Sequence, residues 1–260
     1  AFFYGASVLP IQLSHFFAVD PPLTLFVLLT LFMLIRFYEK PTFGRAVLVG
    51  VFFGLSLATK TSALVLLASI GIAIAADFLL VFFKNVHRIF VWVAHVPQLL
   101  RRLFGDSIVI ILTTLIVFAI AEPYAFIDFH TFWRQNMEQY QMTHNAYTFP
   151  YTLQYVGKPQ YLYELKNIFL WGQGPILATL SFLGAIYFTF LALKKEKKEK
   201  WAQEVILATF FWAYLLVVGR FAIGFMRYLL PIYPLFALFA AVFVFRLTEN
   251  IRRMFGCWYV

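Results

Sequence analysis

The sequence has little charge and almost no cysteine. Cys257 is the single cysteine, which excludes an internal disulfide framework. Only 13% of the 260 residues are charged whereas 62% are hydrophobic, and so few charges cannot cover the surface of a water-soluble protein. The 33 Phe and 14 Tyr residues are enough for a lipid-facing surface and for interfacial aromatic belts. Composition therefore indicates an integral membrane protein.

Eight apolar runs are candidates for membrane-spanning helices. They comprise residues 2–17, 23–38, 46–59, 62–83, 107–121, 174–193, 202–219 and 228–245. We predict an all-α membrane protein, a polytopic bundle of about eight transmembrane helices that forms a single domain over residues 1–260.

The basic residues predict how these spans are oriented. If the spans alternate in direction, 15 of the 21 Lys and Arg residues fall on one side, which the positive-inside rule assigns to the cytoplasm. The other six, on the predicted outer side, are Lys60, Arg134, Lys158, Lys166, Arg220 and Arg227. The net charge of +9 is thus explained by topology rather than by nucleic-acid binding.

Residues 122–173 form the long connection between spans on the predicted outer face. The segment is polar and aromatic, and its stretch 132–140 is compatible with a helix. Connections of this length within a folded domain are usually functional. We therefore expect an outer-face loop region that carries binding or catalytic residues, whereas transporters tend to place such residues within their spans.

Asp20 is the only acidic residue among the first 38. It lies between two candidate spans, in the string SHFFAVDPP at residues 14–22. An acid at a membrane edge is a candidate functional residue. It can equally be the charged end of a helix at the interface, which Pro21 and Pro22 also suit. Both interpretations stay open on the sequence alone.

Lys60 follows a span that is too short for a bilayer. Residues 46–59 make roughly 21 Å of helix, against a hydrocarbon core of about 30 Å. We therefore expect Lys60 to lie in a recess below the outer surface, next to a helix that starts at Ser62 and whose free N–H groups favour an anion. A lipid-linked phosphate fits such a site. The alternative is a lysine that extends to the lipid headgroups.

Arg220 and Arg227 are seven residues apart on the predicted outer side. If the chain between them is helical, both guanidinium groups lie on one helix face and can share one phosphate. Binding to lipid headgroups at the interface is the alternative, and on the residues alone it is favoured for Arg220.

Five strings occur together along the chain: SHFFAVD at 14–20, GVFFGLSLATK at 50–60, EPY at 122–124, LWGQGP at 170–175 and RYLLPIYP at 227–234. Their order and topology resemble the C-type integral-membrane glycosyltransferases. The branch most similar contains the bacterial and archaeal relatives of protein O-mannosyltransferases and of the lipid A aminoarabinose transferases. The resemblance covers essentially the whole chain.

The resemblance implies a glycosyltransferase that moves a sugar from a polyprenyl-phosphate carrier to a protein, lipid or glycan acceptor, usually with inversion. It implies a prokaryotic plasma membrane with the active face outward. Asp20 matches the second of two outer-loop acids of the family. The principal acid would lie upstream of Ala1, so we expect an N-terminally truncated fragment that is inactive alone.

The chemistry of such a transfer assigns further roles. A carboxylate, here Asp20, would activate the acceptor, and cations at Lys60 and Arg227, with Arg220, would stabilise the leaving phosphate. Supporting residues are His15, Glu122, His144 and Tyr228. The spacing of His15 and Asp20 does not favour a metal site, so we predict no metal and no other cofactor, although His144 leaves a divalent metal open.

Two other classes of protein stay open as alternatives. A multi-span transporter or lipid flippase should show internal repeats or broken spans at matching positions of two halves, and the sequence has no such repeat. A non-catalytic membrane scaffold leaves the outer segment and its basic residues unexplained.

Overall fold

The computed structural model describes the backbone of residues 1–85, 101–193 and 201–256, and the side chains of residues 1–75, 104–193 and 201–253. Within these ranges the chain forms helices and turns and no strand, which confirms the all-α class there. Residues 86–100 and 194–200, which hold several of the basic residues assigned to the cytoplasm, lie outside the described ranges.

We number the described α-helices in chain order. They are α1 Phe2–Gly5, α2 Val8–Ser14, α3 Asp20–Glu39, α4 Phe43–Thr59, α5 Leu66–Asn85, α6 Ser107–Ala121, α7 Tyr124–Ile127, α8 Phe129–His144, α9 Leu162–Asn167, α10 Pro175–Leu193, α11 Trp201–Gly219 and α12 Tyr233–Gly256. Short 3-10 or π-helical turns accompany them at Thr61–Val65, Arg101–Asp106, Pro150–Tyr155, Ile168–Gly172 and Met226–Ile232.

Five stretches of the described chain are long and apolar enough to cross a membrane. They are Asp20–Glu39, Phe104–Ala121, Pro175–Leu193, Trp201–Gly219 and Met226–Arg253. Phe43–Thr59 and Thr61–Ala75 are apolar but shorter. By this criterion the chain is a multi-pass membrane protein.

The first apolar run, residues 2–17, does not form the single spanning helix that the sequence predicts. It is divided into α1 and α2, which are four and seven residues long. Pro10 explains the break, because a continuous helix would need a Pro10 N–H to bond the carbonyl of Ala6, and its ring would clash there. In the first turn of α2 the same proline is tolerated.

The chain folds into two compact units that alternate along the sequence. Unit 1 consists of Ala1–Pro21, Tyr140–Lys197 and Tyr214–Val260, and unit 2 of Pro22–Gln139 and Lys198–Ala213. The single domain over residues 1–260 stays a prediction.

In unit 2, two glycines allow α4 and α6 to pack closely. A β-carbon at Gly50 would lie 2.8 Å from the carbonyl oxygen of Ile110, and one at Gly54 would lie 2.8 Å from that of Thr114. The Thr114 hydroxyl donates to the Gly50 carbonyl at 3.2 Å. Small residues four apart that bring helix backbones together are typical of helix pairs in membranes.

We expect Gly50→Val to lower the thermal unfolding midpoint in detergent, because the added atoms meet the backbone of α6 and cannot be accommodated without separating the helices. Gly44→Val is the matched control, since Gly44 lies in the same helix and a β-carbon there has nothing within 4 Å. Equal midpoints for the two variants would contradict close packing at Gly50.

In unit 1, α10 and α12 make a comparable contact. A β-carbon at Gly184 would lie 2.4 Å from the carbonyl oxygen of Phe239. The ring of Phe239 packs 4.5 Å from that of Phe188, measured between centroids, and Phe182 packs 4.9 Å from Phe236. Aromatic side chains therefore fill the space on both sides of this glycine contact.

Residues 122–173, predicted as an outer-face loop region, are folded rather than extended. Most belong to α7, α8, α9 and the turns between them. The helix-compatible stretch 132–140 lies within α8.

One face of α8 is apolar and exposed. It carries Phe129, Trp133, Met137 and Tyr140, whose exposed fractions run from 37% to 60%. At 3.6 residues per turn these positions lie within about 80° of one another. Trp and Tyr favour the membrane interface, and the helix begins soon after the span Phe104–Ala121. The stripe therefore suits the edge of the bilayer.

We expect nitroxide labels at Trp133 and Met137 to be more accessible to oxygen, which concentrates in lipid, than to a water-soluble nickel chelate. A label at Glu138, which lies on another face of α8, should show the opposite preference. Cys257→Ser provides the background for single labelling. Greater nickel accessibility at all three positions would place the stripe in water.

Candidate functional site

The structure brings Asp20 and Arg227 together within unit 1. Asp20 is the first residue of α3, where its carboxylate also faces the positive end of the helix dipole. Arg227 is the second residue of the 3-10 turn Met226–Ile232. The Arg227 Nε lies 3.9 Å from Asp20 Oδ2, a charge contact longer than a hydrogen bond.

The two members of this pair differ in exposure. The Asp20 side chain is 1% exposed, whereas that of Arg227 is 50% exposed. A buried carboxylate thus lies beside the Nε edge of a guanidinium group whose side chain is half exposed. This geometry suits an arginine that is oriented by the protein and binds an anion from outside.

Two aromatic rings also position the guanidinium. Its central carbon lies 5.5 Å from the ring centroid of Phe225 and 5.7 Å from that of Tyr228, both within cation–π distance. Tyr228 is buried, and its carbonyl accepts a hydrogen bond from the Tyr214 hydroxyl at 3.0 Å. Tyr228 thus contacts Arg227, and its supporting role in the reaction stays a prediction.

Tyr155 extends this aromatic cluster into the outer segment. Its ring lies 5.2 Å from Phe225 and 5.9 Å from Tyr163. Burial raises the pKa of the Tyr155 phenol; the neighbouring phenols of Tyr163 and Tyr228 act in the same direction, and Arg227 acts against them. The phenol is thus protonated and can donate a hydrogen bond.

A buried ion pair contacts this aromatic cluster at Tyr163. Lys158 and Glu164 form a charge-assisted hydrogen bond, and their side chains are 5% and 6% exposed. The Lys158 Nζ also lies 5.4 Å from the ring centroid of Tyr163. That ring packs against Gly224, where a β-carbon would be only 2.4 Å from a ring atom.

The sequence analysis missed this ion pair, although it left a signal. Glu164 is the only acidic residue between Glu138 and Glu196, in a segment otherwise rich in tyrosine. A single acid in such a segment is a candidate for a buried pair with a nearby lysine, here Lys158 or Lys166. Lys158 was instead counted among the outer basic residues.

His15 and His144 each interact with their own helix. His15 is exposed, and its Nδ1 lies 2.7 Å from the carbonyl oxygen of Ile11. His144 stacks on Tyr140 at 3.9 Å between centroids, and its Nδ1 lies 2.8 Å from the carbonyl oxygen of the same residue. Neither contact involves Asp20 or Arg227. Among the described residues, no group of three or more His, Cys, Asp or Glu side chains could hold a metal ion.

Arg220 does not share a helix face with Arg227. It is an exposed residue in the turn after α11, and the chain from Arg220 to Phe225 is not helical. Because the residues between Arg220 and Met226 form turns and not a helix, a separation of seven residues does not place the two side chains on one helix face. The predicted geometry for two guanidinium groups on one helix is therefore wrong.

Lys60 and Glu122 belong to unit 2. Lys60 follows α4, whose 17 residues make roughly 26 Å of helix, still short of a core of about 30 Å. The predicted helix start at Ser62 is instead a 3-10 turn from Thr61, which gives a short run of N–H groups rather than a regular helix terminus. Glu122 follows α6 and lines a cavity described below.

No protein-family model, curated protein or solved structure matches the chain.

Proposed function

We propose that the chain is the membrane-embedded part of a glycosyltransferase that moves a sugar from a polyprenyl-phosphate carrier to an acceptor at the outer face. The observation that supports it best is the half-exposed guanidinium of Arg227, held by a buried carboxylate and two aromatic rings. The resemblance of the five sequence strings supports the same class. The proposal includes the predicted orientation of the spans other than residues 2–17, and a prokaryotic plasma membrane.

Arg227 is the proposed ligand of the donor phosphate. A guanidinium offers parallel N–H donors that match phosphate oxygens, and here its orientation is fixed before the ligand arrives. The Arg227 side chain is 50% exposed, so an anion from outside can reach it. Lys60, which belongs to unit 2, stays a prediction from the sequence, and Arg220 is a weaker candidate than Arg227 because nothing in the described structure orients it.

The proposed reaction is a displacement at the anomeric carbon. An acceptor hydroxyl oxygen forms a bond to that carbon, the bond from carbon to phosphate oxygen breaks, and its electron pair leaves with the polyprenyl phosphate. The acceptor proton passes to a carboxylate, the role proposed for Asp20. Because Asp20 lies beside Arg227, an acceptor hydroxyl that attacks a donor bound at Arg227 would approach close to this carboxylate.

We expect Asp20→Asn to reduce sugar transfer by roughly 10²-fold or more in membranes of cells that express the complete gene. Asparagine is also a good residue for a helix start, so α3 and expression should be preserved. The control is Glu249→Gln, which removes the charge of a partly buried carboxylate on α12. Transfer within error of wild type in Asp20→Asn would return Asp20 to the role of a helix end.

The same membranes distinguish the two alternatives. A transporter or flippase would move a labelled polyprenyl-phosphate sugar across the bilayer without forming a glycosylated product. A scaffold would do neither. Product formation that depends on Asp20 supports the transferase alone.

A further inference from the structure

Unit 2 contains a cavity whose lining includes Glu122 but none of the residues proposed to bind the donor phosphate or to accept the acceptor proton. It is open to the surface and has a volume of about 240 Å³. Its lining consists of the half-buried Glu122, Thr131 and Phe132 and the exposed Tyr124, Asp128 and Gln135. All six residues lie within a short stretch that follows the span Phe104–Ala121. The cavity is thus placed just outside a membrane-spanning helix.

Local structure explains why these side chains meet. Glu122 ends α6, and Asp128 precedes α8, where its Oδ1 accepts a hydrogen bond from the Thr131 N–H at 3.1 Å. Thr131 and Gln135 are one turn apart on α8 and share a face. Phe132 is held by Phe118 of α6, with ring centroids 6.3 Å apart.

We propose that this cavity binds a single sugar ring. Its two carboxylates accept hydrogen bonds from hydroxyl groups, and the Thr131 hydroxyl and Gln135 amide both donate and accept. The rings of Tyr124 and Phe132 provide apolar surface for the carbon-bound hydrogens of a sugar. Pockets for drug-sized ligands measure about 300–1,000 Å³, so this smaller cavity suits one ring.

A cation is the main competing ligand, because two carboxylates line the cavity. Hydrogen bonds from Thr131 lower the pKa of the Asp128 carboxyl, so this group is ionised and accepts hydrogen bonds. The rings of Tyr124 and Phe132 take up part of the lining, and their faces offer a cation no oxygen ligand, whereas they match the carbon-bound hydrogens of a sugar. The mixed lining therefore favours a polyhydroxylated ligand.

The apolar stripe of α8 is consistent with this assignment. At 3.6 residues per turn, Thr131 and Gln135 lie on the side of α8 opposite to Trp133 and Met137. If the stripe contacts lipid, the cavity side of α8 is turned towards water and a hydrophilic ligand. The inference does not rest on the transfer reaction, since a transferase, flippase or scaffold could each use a sugar site.

The test is saturation-transfer NMR with the chain in lipid nanodiscs and with methyl α-mannoside, N-acetylglucosamine and galactose as probes. We expect signal from ring protons of at least one probe, reduced about tenfold by Gln135→Ala and by Asp128→Asn. Asparagine also caps helices well, so Asp128→Asn preserves the start of α8. Gln141→Ala, an exposed glutamine on the same helix, is the matched control.

Absence of signal from all three probes would overturn the proposal, as would signal that is equal in wild type and both cavity variants. Binding of Ca²⁺ or Mg²⁺ that depends on Asp128, without sugar signal, would identify a cation site instead. Competition by a polyprenyl-phosphate sugar in the nanodisc would identify a lipid-linked sugar as the ligand. Persistence of the signal in its presence would identify a free glycan.

Discussion

Replacing Arg227 by glutamine is expected to weaken binding of a polyprenyl-phosphate sugar by about ten- to a hundredfold, which corresponds to roughly 1.5–3 kcal/mol. The affinity falls because the variant lacks the guanidinium group, which Asp20, Phe225 and Tyr228 position in the wild-type protein. Arg227→Lys should recover part of the affinity, because an ammonium cannot form two parallel bonds to one phosphate. Donor affinity of the chain in nanodiscs is the measurement.

Arg220→Gln is the matched control for Arg227→Gln. Both residues are exposed arginines near the same turn, but only Arg227 contacts Asp20 and two aromatic rings. If general attraction to anionic lipid headgroups explains binding, the two variants should lose affinity equally. A selective loss in Arg227→Gln, with no loss in Arg220→Gln, supports phosphate binding at an oriented site.

Arg227→Gln also removes the cation beside a buried carboxylate, and this effect must be separated from donor binding. The double variant Asp20→Asn/Arg227→Gln removes both charges. If it folds as well as wild type and still binds donor weakly, the lost affinity belongs to the guanidinium. Donor binding at wild-type strength in the double variant would contradict the assignment.

The helical class and most spans could be predicted from the sequence because both depend on local apolar composition. Spans 23–38, 107–121, 174–193, 202–219 and 228–245 each correspond to a stretch long enough to cross a membrane. Pro10 is a sequence signal for the division of residues 2–17 into two helices. The mean hydropathy of the run does not show it, because one proline changes that mean very little. The contact of Gly50 and Gly54 with α6 has a sequence signal as well, namely two glycines four residues apart.

The contact between Asp20 and Arg227 could not be predicted in the same way. The two residues are at opposite ends of the chain, and no periodicity relates them. Each was singled out by its charge at the edge of an apolar run, and the fold then brings them to 3.9 Å. For Arg220 the reverse holds. Its seven-residue separation from Arg227 predicts a shared helix face only if the connection is helical, and the connection is a turn.

Replacing Glu164 by glutamine is expected to lower the free energy of unfolding by about 3–5 kcal/mol, because it leaves the buried ammonium of Lys158 without its carboxylate. The aromatic cluster that supports Arg227 includes Tyr163, which Lys158 contacts. We therefore expect reduced donor affinity as well. Denaturant unfolding in detergent and the nanodisc binding assay measure the two effects.

Two further variants separate burial from charge. Glu249 forms ion pairs with Arg246 and Arg253 near the surface, so Glu249→Gln should change stability by less than about 1 kcal/mol. The double variant Lys158→Met/Glu164→Leu removes both buried charges, and apolar replacements of a buried pair are often neutral or stabilising. We expect it to recover most of the stability that Glu164→Gln loses. If it is as unstable as the single variant, loss of the carboxylate partner is not the cause, and packing around Tyr163 sets the stability of this segment.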